Sequence, residues 1–181
     1  MQYGVDSAYP SSNPASLVAL GYAFALGYLP GGNEENAWTL EQWKAHADAG
    51  LKLGPIAVAP FGTPTEQEGV DHGNRVLVAM QNFKLSGMVL HDVENGASPR
   101  DYAKGFVDAL HAGSCAAWLY GSRTTILSIG DLYDGWWLAD WIQSGLPLRQ
   151  APPDWSILQY ATGPQFDYNV ARDDVPWAVL G

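Results

Sequence analysis

The chain has 181 residues, with 9 basic against 19 acidic side chains and a formal net charge of −10. Such an acidic chain lacks the basic footprint needed to grip nucleic acid, and no apolar run approaches the roughly 18 residues that would span a bilayer. With 47% hydrophobic and 15% charged residues it reads as globular rather than disordered, and its length suits one domain.

Tyr3–Asp6 predicts a strand that starts almost at the first residue and ends on Asp6. The opening residues show neither a basic segment nor a long apolar one, so no secretory leader is expected and delivery would follow another route. Pro14 opens a short helix, a position where proline is tolerated; Leu17, Val18 and Leu20 give it an apolar face, and Gly21 ends it. Tyr22–Tyr28 predicts a second strand, and Leu29–Asn33 a loop by composition. Thr39 followed by Gln42 is a capping-box pattern, and the helix it starts runs to Gly50. Leu51–Ala59 predicts a third strand, Pro60–Pro64 a loop, and Thr65–Lys84 a helix whose Gly69 and Gly73 are poor helix formers.

The stretch Met88–Glu94, Met-Val-Leu-His-Asp-Val-Glu, carries most of the functional information. Its apolar run predicts a buried parallel strand. Side chains alternate along a strand, so Asp92 and Glu94 share a face, with Cα atoms about 6.6 Å apart. Neighbouring carboxylates raise each other's pKa, and glycosidases use such a pair, one neutral and one ionised, roughly 5–9.5 Å apart. The competing reading is that both acids only cap the next helix or face water.

That helix is predicted with Ser98 as N-cap and Pro99 in its first turn. Tyr102, Phe106, Ala109 and Leu110 form its buried stripe, and Gly113 closes it. Ala116–Tyr120 predicts the fifth strand and Ser122–Ile129 a short helix. Trp136–Trp141, Trp155–Tyr160 and Phe166–Val170 predict strands six to eight.

Alternating strands and helices argue for a parallel sheet. Eight strands, the first five with helical crossovers, argue for a closed TIM-like α/β barrel, shortened from the usual ~250 residues. Chemistry in such barrels sits at the carboxyl ends of the strands, where Asp6, Asp92, Glu94 and Asp167 would converge. The aromatics Tyr28, Phe61, Tyr120, Trp137 and Tyr160 fall at predicted strand ends, as groove lining or as core. No metal or other cofactor is expected: His46, His72, His91 and His111 show no ligand-like spacing, and His91 points away from the acid pair. The single cysteine, Cys115, reads as a buried structural thiol.

Four pieces in order span nearly the whole chain: Gly4-Val-Asp6-Ser, Asp92-Val-Glu94, Trp137-Leu-Ala-Asp-Trp141, and Leu158-Gln-Tyr160 with Phe166-Asp167-Tyr-Asn169. Together they resemble glycoside hydrolase family 25, the lysozyme-type muramidases. Gly4–Pro10 and Gly27–Gly31 are similar to the glycoside-hydrolase-like domain of unknown function 1906. The first resemblance implies a (β/α)5(β)3 barrel that cleaves the β-1,4 bond between N-acetylmuramic acid and N-acetylglucosamine in peptidoglycan. It implies Glu94 as general acid, Asp92 as the carboxylate that orients the acetamido group or stabilises the oxocarbenium-like state, and Asp6 and Asp167 as flanking acids. The candidate substrate contacts are the strand-end aromatics Tyr28, Phe61, Tyr120, Trp137 and Tyr160, of which three are expected to line a groove, together with Gln159 of the fourth piece. The second resemblance allows a catalytically inactive glycan-binding or structural barrel. A leaderless wall hydrolase would suit a phage lysin or another delivered protein, within a larger assembly.

Overall fold

The structure, a computed structural model, describes residues 1–30, 36–60, 62, 64–93, 99–139 and 156–181. Eight strands close into a barrel in the order β1 (Gln2–Asp6), β2 (Phe24–Tyr28), β3 (Lys52–Val58), β5 (Met88–Asp92), β6 (Ala116–Gly121), β7 (Gly135–Ala139), β8 (Ile157–Thr162) and β9 (Asp167–Ala171). Helices α1 (Pro14–Ala19), α2 (Leu40–Asp48), α3 (Glu66–Asn82), α4 (Arg100–Ala112) and α5 (Arg123–Ile129) follow the first five barrel strands. This is the expected TIM-like (β/α)5(β)3 arrangement.

The strand directions are not all alike. Successive pairs from β1 to β8 are parallel, but β9 runs antiparallel to both β8 and β1. A short hairpin joins β8 to β9, and a connection that short can only reverse the chain. The reversal has a consequence for the site. It is the first residue of β9, Asp167, that lies opposite the last residue of β1, Asp6.

Local chemistry accounts for the helix starts. Thr39 and Gln42 make both bonds of a capping box, with Thr39 N–H donating to Gln42 Oε1 (2.7 Å) and Gln42 N–H to Thr39 Oγ1 (3.3 Å). Thr65 and Glu68 repeat the device on α3. α2 gives way to Gly50 at φ +92°, a conformation that costs glycine little. α4 starts one residue later than the composition suggests: Pro99 is its N-cap, and Ser98 lies outside the described residues.

Gly69 and Gly73 weaken α3 as a helix but serve its packing. A Cβ on Gly69 would sit 2.1 Å from the Tyr102 carbonyl oxygen, and one on Gly73 would sit 2.7 Å from Ala109 Cβ. A Cβ on Gly105 of α4 would meet the Glu66 carbonyl oxygen at 2.2 Å. The two helices therefore touch backbone to backbone. Gly69→Ala is expected to destabilise the protein by about 1–3 kcal/mol, the usual cost of forced overpacking. A lower urea midpoint at unchanged m-value would show it.

The barrel interior mixes large and absent side chains. A Cβ on Gly54 would fall 2.3 Å from Leu26 Cδ2 and 3.2 Å from Leu90 Cδ1, and one on Gly135 would fall 2.8 Å from the Trp118 ring. The same alternation that turns Leu26 and Leu90 inward carries Asp6, Asp92, Asp167 and Asn169 to the inner face. At the amino ends of the strands the C-terminal segment forms a floor. Trp177 stacks on Phe24 at 4.5 Å, Ala178 N–H donates to Leu53 O (2.9 Å), and β10 (Val179–Leu180) pairs with the two-residue strand β4 (Leu85–Ser86). The floor covers that end, and the acids gather at the opposite mouth.

The outer face of β5 carries His91, which is fully buried. It stacks on Phe106 at 3.8 Å, and its Nδ1 lies 2.7 Å from the Tyr133 hydroxyl. His91 is thus part of the sheet-to-helix core, and burial holds it well below the usual histidine range. Cys115 is a free, buried thiol that burial pushes up to about 11.

Candidate active site

Each described acid of the site is delivered by the end of a strand. Asp6 ends β1, Asp92 ends β5, and Asp167 begins the reversed β9, so all three stand at the same mouth. Asp6 and Asp167 are direct register partners, and Asp92 sits between Val58 and Tyr120. Asp6 and Asp92 are buried, while Asp167 is half-buried at the rim.

Beneath the acids lies a polar network. Asn169 Nδ2 donates to Asp6 Oδ2 at 2.6 Å, and Gln159 Nε2 donates to the same oxygen at 3.2 Å. Gln159 Nε2 also lies 3.2 Å from Asp167 Oδ2, so one amide group bridges two carboxyls. Tyr120 donates its hydroxyl proton to Gln159 Oε1 (2.6 Å), and the Trp137 indole N–H donates to Asn169 Oδ1 (2.8 Å). An indole N–H can only donate, so it fixes which end of Asn169 faces Asp6. The network works as a relay of orientation running from Trp137 through Asn169 to Asp6.

Electrostatics distinguish Asp6. Burial pushes its carboxyl up from 3.8 to about 7. The charges of Asp167 and Asp92 add to the rise, and the hydrogen bonds from Asn169 and Gln159 oppose it. A carboxyl that changes charge near neutrality can hold or give up a proton under ordinary conditions. Among the described residues no three ligating side chains are close enough to hold a metal ion together.

No protein-family model and no curated protein sequence matches the chain. Solved structures do. An uncharacterized protein of B. stearothermophilus superposes with a TM-score of 0.78 at 17% identity, covering 96% of this chain and 97% of that one. The catalytic domain of an endolysin from a bacteriophage of Listeria monocytogenes gives 0.73 at 18% identity, over 96% and 95%. A bacterial lysozyme from Streptomyces coelicolor gives 0.70 at 17% identity, over 94% and 92%. The chain shares their fold.

The expected site residues do not all meet. Asp6, Asp92, Asp167 and Gln159 come together at the mouth, with Tyr28 half-buried at the end of β2. Tyr160, expected as a substrate contact, lies within β8 on the face opposite Gln159, packed against Leu138, Leu158 and Val170 with its ring 6.4 Å from that of Tyr168, because side chains alternate along the strand. Tyr120 and Trp137 are only 4% and 1% exposed. Their rings pack against each other at 4.0 Å, and they act on the acids from below through Gln159 and Asn169. Gln159 is likewise buried, tied to carboxyls rather than open to a ligand. Glu94 and Phe61 lie outside the described residues, as do Asp140 and Trp141.

Asn169 was not among the expected site residues, although it makes the shortest contact to Asp6. The signal was available. Asn169 stands two positions beyond Asp167, the same spacing that pairs Asp92 with Glu94, and a strand places such residues on one face.

Proposed function

We propose that this chain is a peptidoglycan hydrolase of the N-acetylmuramidase type, cleaving the β-1,4 bond between N-acetylmuramic acid and N-acetylglucosamine. The observation that carries the reading is the convergence of Asp6, Asp92 and Asp167 at one barrel mouth, with burial lifting Asp6 to about 7. Glycoside cleavage needs a proton for the leaving oxygen and negative charge against an oxocarbenium-like state, and clustered carboxyls in unlike environments supply both. A fold shared with a lysozyme and with the catalytic domain of an endolysin is in keeping with this.

In this reading Glu94, two residues beyond Asp92, donates the proton to the leaving sugar. Asp92 orients the acetamido group or offsets the developing positive charge. Asp6 and Asp167 flank them, with Asp6 held in place by Asn169 and Gln159. Tyr28 and Phe61 contact sugar rings, while Tyr120 and Trp137 keep the amides aligned. The partner is the glycan strand of a bacterial cell wall, reached as a phage lysin or another delivered wall-degrading protein. Among the described residues no helix is long and apolar enough to cross a membrane.

The test is digestion of purified cell walls followed by analysis of the new chain ends. Muramic acid reducing ends are the expected product. N-acetylglucosamine reducing ends would make it a glucosaminidase, and released peptide termini an amidase or peptidase. Walls that are bound and not cut would leave the inactive glycan-binding barrel.

A further inference from the structure

A cavity of about 320 Å³ opens at the mouth of the barrel, walled by residues 9–12 on one side and 164–166 on the other. It lies close to the acid pair along both chain segments: Tyr9 is three residues beyond Asp6, and Phe166 directly precedes Asp167. Its walls are joined rather than merely adjacent. The buried Ser7 hydroxyl lies 2.6 Å from the Tyr9 carbonyl oxygen and 3.1 Å from the Gln165 carbonyl oxygen, and it accepts the Tyr9 N–H at 3.0 Å. On the hairpin side, Gly163 N–H donates to Phe166 O (2.9 Å), and Gly163 packs so close to Tyr168 that a Cβ would meet the ring at 2.8 Å. The two loops are pinned at their bases with a gap held open between them.

The lining points to one chemistry. Tyr9, Phe166 and two prolines present apolar faces, whereas Ser11, Ser12 and Gln165 present donors and acceptors. Among the described residues no lining side chain is charged. An acidic peptide stem would find no cation there, in a chain of net charge −10. An uncharged sugar ring, with apolar C–H faces and hydroxyls around its edge, matches both halves of the lining. The volume is at the lower end of the roughly 300–1,000 Å³ of ligand pockets, which suits a single ring. Tyr9 is 74% exposed, an aromatic surface left uncovered by the chain's own packing.

We propose that this cavity is an outlying sugar subsite, holding one uncharged pyranose of the glycan strand beyond the cleavage point. It deepens the glycan reading of the mouth and rests on it. The test is titration calorimetry of the full chain with peptide-free glycan strands graded in length. The wild type should bind longer strands more tightly. Tyr9→Ala should remove that gain, binding the longest strands about tenfold more weakly. Gln165→Ala, at an exposed position, should reduce the gain in part, and melting temperatures near that of the wild type would show both variants folded.

Equal affinity of Tyr9→Ala and wild type for every length would overturn the subsite, as would wild-type binding of no strand at all. Tyr9-dependent binding of an acidic stem peptide in place of the strands would also overturn it. Wall digestion read in parallel separates the two proposals. Hydrolysis without Tyr9-dependent affinity removes the subsite and keeps the hydrolase, whereas Tyr9-dependent affinity without hydrolysis does the reverse.

Discussion

Glu94→Gln is expected to slow the release of reducing ends from cell walls by about 10²–10⁴-fold, the usual contribution of a positioned general acid. The substitution preserves size and hydrogen-bonding capacity and removes only the proton that the leaving oxygen must receive. Binding of glycan strands should therefore stay within a small factor of the wild type, and the loss should fall on kcat rather than KM. The discriminating comparison is with Asp6→Asn. Asp6 is the carboxyl that burial lifts to about 7, which makes it the rival proton donor. If Glu94→Gln cuts walls at the wild-type rate while Asp6→Asn does not, the acid is Asp6 and the assignment of Glu94 fails.

Much of this arrangement was legible in the sequence because it rests on short-range rules. Apolar runs ending in acids at Asp6 and Asp92 read directly as buried strands, and the resulting barrel has the expected eight. Thr39 and Gln42 announce their capping box without help from the rest of the fold. What was not legible depends on partners distant in sequence. The alternation in Phe166–Val170 shows which side chains share a face but carries no information on strand direction, so the reversal of β9 came only with the closed barrel. Trp137 and Tyr120 show the same limit. An aromatic at a strand end looks alike whether it lines a mouth or lies beneath it, and the indole bond to Asn169 decides for the second. Gly69 and Gly73 read as flaws in a helix until α4 is laid against them. The paired ribbon of β4 and β10 is two residues per strand, too short for any period to register.

Asp6→Asn should make the protein more stable at pH 8 than the wild type, and its advantage should shrink as the pH falls toward 4. The sign follows from linkage. The folded state holds the Asp6 proton up to about 7, whereas an unfolded chain releases it near 3.8. The extra stability from that tighter proton is fully present below about 3.8 and lost as pH rises through about 7, above which both states are ionised. Three pKa units correspond to roughly 4 kcal/mol, an order-of-magnitude ceiling on what is lost across the interval. Asparagine has no charge to bury at any pH, and its side-chain oxygen can still accept from Asn169 and Gln159, so the network beneath the site survives. Urea unfolding of both proteins between pH 4 and pH 8 reads the difference directly, since all other titrating groups are common to the two. A constant gap between the curves would mean that Asp6 titrates alike in the folded and unfolded states and that the mouth does not hold its proton. A gap that opens with pH, together with slower wall hydrolysis by the variant, would mark Asp6 as a charge kept at a cost to the fold, the pattern expected where stability is traded for function.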